Sequence, residues 1–288
     1  MNEDLLSLFP NELRQGIALG LTNRTEEIRC RIGYPASAVV CGKGHELSTV
    51  NVTAWHLDYL LERATSMSVH SYTEEIRKGY LFTLTGYRVG ICGTAYYHGQ
   101  LLAGVRDLTS ASVRIPHEFP GCADKICPHL LKNGYRSTLI LSPPGYGKTT
   151  LLRELIRKLS RAGYRVSVAD ERCEIAAVSN RTAGFDLGPN TDVMTGGRKG
   201  ECAMMLLRSM NPQVLAFDEI TDQEDLDAII QAAGCGTAML ATAHAADPVS
   251  LHHRELYRKL LNSGVFERVV WIQMKNDNRD YCIEDLSQ

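Results

Sequence analysis

The sequence predicts a two-domain α/β protein in which a smaller α+β domain precedes a domain built on a parallel sheet. A chain of 288 residues has room for about two domains of ordinary size. Short alternating or β-branched runs, interrupted by glycine, fill its first part. In the second part continuous apolar runs alternate with helical patterns, which is typical of a parallel sheet covered by helices on both faces.

The first domain is expected to cover residues 1–118. Apolar positions recur at helical spacing from Asp4 to Leu21 and from Asn51 to Ala64, where Asn51 is a possible helix cap. The strand-like runs are Glu27–Ile32, Ala38–Cys41, Tyr87–Ala95 and Leu101–Val105. Proline and glycine in Ile115–Tyr135 indicate the connection between the domains and a lead-in helix.

The second domain is expected to cover residues 119–288, with strands and helices in alternation. The predicted strands are Ser137–Leu141, Arg165–Ala169, Val214–Phe217 and Thr237–Thr242. The predicted helices are Lys148–Ala162 and Asp222–Ala233. Because ligands bind at the carboxyl ends of the strands in such a sheet, the residues that follow each strand are the candidates for function.

The composition is that of an ordinary globular protein and argues against several classes of function. Hydrophobic residues make up 44% of the chain, charged residues 22%, and the formal net charge is -2. Proteins that coat nucleic acid depend on clustered Lys and Arg, so we do not expect nucleic acid as the main partner. The apolar runs are far shorter than the roughly 20 residues that cross a bilayer, and the acidic start is unlike a signal peptide. We therefore expect a cytoplasmic protein with at most a peripheral membrane association.

A glycine-rich turn lies between a predicted strand and a predicted helix, the setting of a phosphate-binding loop. Gly145 and Gly147 let the backbone N–H groups point inward, and the helix that begins near Lys148 adds its positive end. Lys148 can then reach the β and γ phosphates of ATP, while the Thr149 hydroxyl can bind Mg2+. Ser142 replaces the usual first glycine, which the loop accepts if φ is negative there. The loop consists of Ser142, Pro143, Pro144, Gly145, Tyr146, Gly147, Lys148, Thr149 and Thr150.

Two other strand ends carry carboxylates. Asp218 and Glu219 end an apolar strand, so we expect Asp218 to hold the magnesium, directly or through water, and Glu219 to orient or deprotonate the attacking water. The strand after the loop helix is followed by Asp170, Glu171 and Glu174. Glu171 or Glu174 could make a second acidic contact to the metal or the water.

A further strand end carries a hydroxyl and an imidazole. Thr242 could sense the γ phosphate by hydrogen bonding, and His244 could couple that state to a neighbouring element. Each segment also has a plainer interpretation: a glycine turn with an incidental lysine, solvated carboxylates, a charged loop cap and a structural histidine. The order of all four along a predicted parallel sheet favours the functional interpretation.

These four segments in this order resemble the ATPases of type II and type IV secretion and of type IV pili. Leu206–Glu219 looks like their arginine-bearing helix and the Walker B strand that follows it. Tyr87–Ile91 and Ser112–Pro116 look like the arginine-bearing strands of their N-terminal domain. The similarity is strongest to the members that serve a mother-cell channel in endospore-forming bacteria, and its motifs are Glu27–Arg31, Pro143–Thr150, Asp170–Arg172 and Arg208–Pro212.

The resemblance implies that the second domain is a RecA-like P-loop ATPase domain and that ATP binds between the domains. It also implies that Arg88 and Arg114 reach the nucleotide phosphates and that Glu171 is the acidic-box carboxylate. Phosphoryl transfer needs positive charge beyond the loop lysine, and the candidates are Arg88, Arg114 and Arg208. The family further implies a homohexameric ring that acts on membrane proteins of a sporulation secretion-type channel, at the inner face of the mother-cell membrane.

The predicted function is thus ATP hydrolysis that energises a membrane channel, and two other classes stay open. One is a nucleic-acid-binding ATPase or nucleotide-gated regulator. Its support is Arg254, Arg258 and Lys259 beside His252 and His253 on a predicted helix, a pattern that is also typical of a solvated face. The other is a nucleotide-locked scaffold with negligible turnover.

Overall fold

The chain is divided into two compact units in a computed structural model. The structure describes residues 3–40, 42–67, 72–178, 183–245, 247, 255–275 and 278–286. The units are Met1–His117 with Ser179–Gly184, and Glu118–Val178 with Phe185–Gln288. Within the described ranges no helix has the length and apolar character that a bilayer crossing requires.

The first unit is an α+β unit with a single antiparallel sheet. Its helices are α1 (Glu3–Ser7), α2 (Asn11–Gly20), α3 (Ala54–Ala64) and α4 (Thr73–Arg77). Its strands are β1 (Thr25–Arg31), β2 (Pro35–Val40), β3 (Lys43–Asn51), β4 (Tyr80–Phe82), β5 (Arg88–His98) and β6 (Leu101–Arg114). The strand order in the sheet is β3-β2-β1-β6-β5-β4, and every neighbouring pair is antiparallel.

Two details of the helices in this unit differ from the sequence prediction. The run from Asp4 to Leu21 forms two helices instead of one, because a residue that precedes proline is disfavoured in the helical region and Phe9 precedes Pro10. Asn51 lies in β3 and does not cap α3. The residue before α3 is Thr53, whose backbone N–H donates to Nδ1 of His56 at 3.0 Å.

The second unit is an α/β unit in which strands and helices alternate. Its helices are α5 (Cys127–Leu131), α6 (Lys148–Arg161), α7 (Lys199–Met210), α8 (Gln223–Gly234) and α9 (Glu255–Asn262). Its strands are β7 (Thr138–Ser142), β8 (Val166–Asp170), β9 (Thr191–Thr195), β10 (Val214–Glu219), β11 (Ala238–His244), β12 (Arg268–Lys275) and β13 (Asn278–Asp285).

The seven strands form one sheet in the order β13-β12-β7-β11-β10-β8-β9. The six strands from β12 to β9 in that order are parallel, and β13 is antiparallel to β12. The predicted fold class, a smaller α+β part followed by an α/β part with a parallel sheet, is therefore confirmed.

Both faces of the parallel sheet are buried under helices. One hydrophobic cluster joins side chains such as Leu141 and Phe217 to α7, α8 and α9. A second cluster joins Ile140 and Ala216, which directly precede those two residues on the same strands, to α5 and α6. Successive residues of a strand point to opposite faces, so burial on both sides explains why these strands are apolar without alternation.

The parallel register brings the carboxyl ends of the central strands to one edge of the sheet. Ser142 at the end of β7 pairs with His244 of β11, and Glu219 of β10 pairs with Thr242 of β11. The chain then leaves β7 through the glycine-rich loop and enters α6. The predicted strand-end residues thus lie beside one another at this edge.

Candidate active site

The glycine-rich loop has the backbone conformation of a phosphate-binding loop. Gly145 and Gly147 have φ values of 80° and 92°, in the left-handed region that glycine adopts at low cost. Ser142 is a fully buried strand residue and is absent from the described positions with positive φ, so the missing first glycine creates no strain. Tyr146 packs against the α6 side of the core, while Pro144 is exposed.

Lys148 points back into the loop and is 7% exposed. Its Nζ donates to the carbonyl oxygens of Ser142 and Pro143, each at 3.2 Å, and lies 2.6 Å from Nδ1 of His244. Burial lowers the pKa of Lys148, although the carboxylates of Glu219 and Asp218 act in the opposite direction. Charged phosphate oxygens are stronger acceptors than the two carbonyl oxygens and can replace them.

Asp218 lies between two hydroxyl groups. The hydroxyl of Thr149 is 3.3 Å from Oδ1 of Asp218, and the hydroxyl of Thr242 is also 3.3 Å from that oxygen. Burial, with the nearby carboxylates of Glu174 and Asp170, raises the pKa of Asp218 to about 6. A carboxylate and a hydroxyl at one point are the oxygen ligands that Mg2+ prefers, and a cation would favour the charged carboxylate. Thr149 and Asp218 thus fit a magnesium ion.

Glu219 and His244 form a pair beside the loop lysine. Nε2 of His244 is 3.1 Å from Oε1 of Glu219, and both side chains are 28% exposed. Because Nδ1 of His244 accepts from Lys148, its Nε2 carries the hydrogen that reaches Glu219. The three side chains therefore form a chain of hydrogen bonds from the ammonium group to a partly solvated carboxylate.

The backbone of the segment after β8 is held in place by the carboxylate of Asp170. The buried carboxylate of Asp170 accepts the backbone N–H groups of Glu174, Ile175 and Ala176 at 2.9, 3.1 and 2.8 Å. These three hydrogen bonds fix the backbone of residues 174–176 beside the end of β8. Glu171 and Glu174 remain as the carboxylates of the segment that line the cavity.

A cavity of about 370 Å3 collects most of the predicted residues of this unit. It is open to solvent at the carboxyl edge of the sheet. Its lining consists of Gly145, Gly147, Lys148, Thr149, Thr150, Glu171, Arg172, Glu174, Lys199, Asp218, Glu219, Thr242, His244 and Arg279.

Three cations of this cavity were not among the predicted site residues: Arg172, Lys199 and Arg279. Lys199, the first residue of α7, makes an ion pair of 2.9 Å with the buried Asp225 and lies 3.9 Å from Oε2 of Glu171. It also donates to the carbonyl oxygen of Glu219. The positive charge beside an acidic segment was a possible signal for Arg172, whereas no local pattern links Lys199 or Arg279 to the loop.

The predicted arginines lie outside this cavity. Arg88 and Arg114 belong to the first unit, where they are direct cross-strand partners on β5 and β6. They line a separate cavity of about 400 Å3 together with three further cations, Arg29, Arg31 and Lys78. Like charges opposite each other on neighbouring strands repel, so this face of the sheet favours an anion.

Arg208 and the basic cluster near residue 254 have other surroundings. Arg208 is exposed on α7 and lines a groove between α7 and α8. Of the basic cluster, Arg254, His252 and His253 lie outside the described residues. Within the described part, Lys259 pairs with Glu255 at 3.1 Å on α9. That contact is typical of a solvated helix face.

The sequence is similar to those of a family of sporulation proteins. A family model described as Sporulation stage III, protein AA matches residues 3–281. The chain is 34% identical over 249 residues to stage III sporulation protein AA of Bacillus subtilis (strain 168), covering 84% of this chain and 80% of the relative. It is 25% identical over 181 residues to the uncharacterized protein ycf45 of Cyanidium caldarium, covering 60% of this chain and 52% of that protein.

Solved structures with a similar fold include an ATPase and a pilus retraction motor. The Yersinia pseudotuberculosis ATPase DotB matches with a TM-score of 0.64 and 15% identity, covering 98% of this chain and 81% of that chain. The pilus retraction motor PilT with bound ADP matches with a TM-score of 0.60 and 17% identity, covering 95% and 81%. At these identities the likeness shows the fold alone, which includes the RecA-like P-loop domain.

Proposed function

The chain belongs to the family of sporulation stage III protein AA, and on that premise we propose that it is an ATPase that energises a membrane secretion-type channel during endospore formation. One observation carries the proposal. Lys148, Thr149, Asp218, Glu219 and His244, which come from three separate strand ends, meet in one cavity of about 370 Å3. This set of groups is the one that a P-loop hydrolysis site requires.

The phosphate-binding part of the site is built from the loop and the start of α6. Inward N–H groups and the positive helix end bind phosphate oxygens. Lys148 exchanges the carbonyl oxygens of Ser142 and Pro143 for the β and γ phosphates. Thr149 and Asp218 would hold magnesium, which would neutralise the charge that develops during transfer.

Hydrolysis needs a water molecule that is oriented and deprotonated. Glu219 is suited to this role because His244 fixes Oε1 at 3.1 Å and leaves the carboxylate partly solvated. As the water oxygen bonds to the γ phosphorus, the proton goes to Glu219 and the bond to the bridging oxygen breaks. The products are ADP and inorganic phosphate. His244 contacts Glu219, which takes the proton, and Thr242 contacts Asp218, the proposed magnesium ligand.

The remaining positive charge comes from arginines outside the cavity. Arg88, Arg114 and Arg208 are the proposed contributors, with Glu171 as a further acidic contact. Such arginines commonly come from another domain or another subunit, so we propose a homo-oligomeric ring, a hexamer by analogy with the secretion ATPases. The ring would act at the inner face of the mother-cell membrane on membrane proteins of the channel.

Two variants test the hydrolytic role. Lys148→Ala should abolish ATP binding and phosphate release, while Glu219→Gln should keep ATP binding and abolish release. Lys132→Ala, which removes an exposed lysine on the same unit, serves as the matched control and should behave like the wild type. Phosphate release that persists in both site variants would end the proposal.

The channel role is tested with the same Glu219→Gln chain held with ATP. Membrane proteins that copurify with it in sporulating cells, and are lost with Lys148→Ala, would support the proposed partner class. Nucleic acid as the specific copurifying component would instead favour a nucleotide-gated regulator.

A further inference from the structure

Arg279 lies on the opposite side of the phosphate loop from the acidic residues. In the sheet order, β7 carries the loop, and β11 separates it from β10 with Asp218 and Glu219. On the other side, β12 separates β7 from β13, which carries Arg279. Both sides line the same cavity. The cavity therefore has an acidic wall and a separate wall with a guanidinium group.

The guanidinium group of Arg279 packs directly on the loop backbone at Gly147. A Cβ atom placed on Gly147 would lie 2.9 Å from Cζ of Arg279 and 3.1 Å from both Nε and Nη2. Side-chain carbon atoms do not approach each other this closely, so the contact depends on glycine as well as on its φ of 92°. Gly147 is also the residue immediately before α6, and the first N–H groups of a helix have no partner within it.

The N–H donors of Arg279 are not used by the protein in the described part of the chain. There the side chain makes no hydrogen bond or ion pair, and its ring contact is with Phe119, 5.7 Å from Cζ to the ring centroid. Two of the other cations near the loop differ: Lys148 has three acceptors, and Lys199 is paired with Asp225. A guanidinium group carries five donors suited to phosphate oxygens.

We propose that Arg279 is a second phosphate-binding cation of the same chain, which contacts the phosphates that ADP and ATP share. Magnesium and the hydrolytic water belong to the β10 side with Asp218 and Glu219, at the γ end of the triphosphate. A group on the β13 side is directed at the phosphates nearer the nucleoside. This inference rests on the proposed function, because it assigns a residue within the same nucleotide site.

The test compares ADP and ATP binding, in the presence of Mg2+, by isothermal titration calorimetry. Arg279→Gln should weaken both ligands by a similar factor of about 10 to 100, the range for a hydrogen-bonded charged group. The turnover number at saturating ATP should stay within about twofold, since a contact made equally in the ground and transition states affects affinity alone. Arg279→Lys should lie between, because it keeps the charge but loses the planar donors.

The matched control is Lys275→Gln, which removes a cation from the same hairpin. Lys275 is exposed, pairs with Asp280 at 2.6 Å and does not line the cavity, so ligand affinity should not change. Thermal unfolding of Arg279→Gln should match that of the wild type, because the side chain is exposed. A lower melting temperature together with weaker binding would point to a structural role and overturn the inference.

Other results overturn it as clearly. Unchanged affinity of Arg279→Gln for both ligands would show that the guanidinium does not contact phosphate. Weaker ATP binding with normal ADP binding, or a loss of turnover alone, would place Arg279 at the γ phosphate instead. If the wild type binds neither nucleotide, the proposed function itself fails; if it binds both and Lys148→Ala does not, only the role of Arg279 is in question.

Discussion

The proposed role of Asp218 as a magnesium ligand requires a charged carboxylate, whereas its raised pKa favours the protonated form when no metal ion is bound. Burial and the carboxylates of Glu174 and Asp170 raise the pKa of Asp218 to about 6. A protonated carboxyl group is a poor ligand for a hard cation. Protons and Mg2+ should therefore compete for Asp218 near pH 6, above the usual range of an aspartate.

We predict that the Mg2+-dependent part of ATP affinity falls as the pH drops through about 6, by up to about tenfold per pH unit below it. The sign follows from the raised pKa, because metal binding must displace the proton. The measurement is ATP affinity with Mg2+ and with EDTA between pH 5 and pH 8, where the EDTA series corrects for titration of the nucleotide. Asp218→Asn should bind weakly at every pH without this slope, and a wild-type slope identical to that of the variant would contradict the prediction.

At the level of single residues, the sequence was informative where chemistry follows a strand end. Lys148, Asp218 and His244 were expected to meet because the carboxyl ends of parallel strands share one edge. Lys199 and Arg279 could not be placed in this way. Lys199 begins a helix and Arg279 lies in an antiparallel hairpin, so their position at the loop depends on tertiary packing that no local pattern records.

Arg153 of α6 is the contact between the loop helix and the acidic segment. It is 9% exposed, and its guanidinium donates to the carbonyl oxygens of Ile175 and Glu174, each at 2.8 Å. The same group lies 3.7 Å from the ring centroid of Phe185. Arg153 and Asp170 thus hold the acidic segment through its carbonyl and N–H groups respectively.

We predict that Arg153→Met lowers the free energy of unfolding by about 2 to 3 kcal/mol, because buried carbonyl groups lose charged donors. The acidic segment should also lose order, which amide hydrogen exchange over residues 171–178 would detect, and ATP turnover should fall. Urea unfolding measures the stability. Arg161→Met on the same helix is the control: its side chain is 54% exposed and pairs with Asp186, so we expect less than about 1 kcal/mol. Equal effects of the two changes would contradict the prediction.

At the level of elements, the sequence predicted every central strand except β12 and missed the four edge strands. β7, β11, β10 and β8 were all expected, whereas β3, β4, β9 and β13 were not, and these four are the edges of the two sheets. β3 shows the reason: only Leu47 is buried among its nine residues. A strand that packs against a neighbour on one side needs fewer apolar residues, so the periodicity on which prediction depends is weak.

At the level of the whole molecule, the arginines proposed for phosphoryl transfer lie on surfaces outside the cavity. The cavity of the second unit contains four carboxylates and four cations: Glu171, Glu174, Asp218 and Glu219, and Lys148, Arg172, Lys199 and Arg279. Arg88 and Arg114 lie on the basic face of the first unit, and Arg208 lies on the exposed face of α7. In a head-to-tail ring, one surface of each chain meets a different surface of the next, so an exposed arginine can complete the site of a neighbour.

We predict that Arg208 acts on the neighbouring chain, which makes two inactive variants active when mixed. Arg208→Ala leaves a complete cavity, and Lys148→Ala leaves a complete Arg208. After random mixing in a head-to-tail ring, about a quarter of the sites therefore combine a complete cavity with Arg208 from the neighbouring chain. Phosphate release should rise in proportion. Lys148→Ala mixed with Glu219→Gln serves as the control. Both changes damage the cavity, so no chain has a complete site and no activity should return, although each Glu219→Gln chain still binds ATP. A mixture with Arg208→Ala that stays inactive would place Arg208 in its own chain's site or remove it from the mechanism.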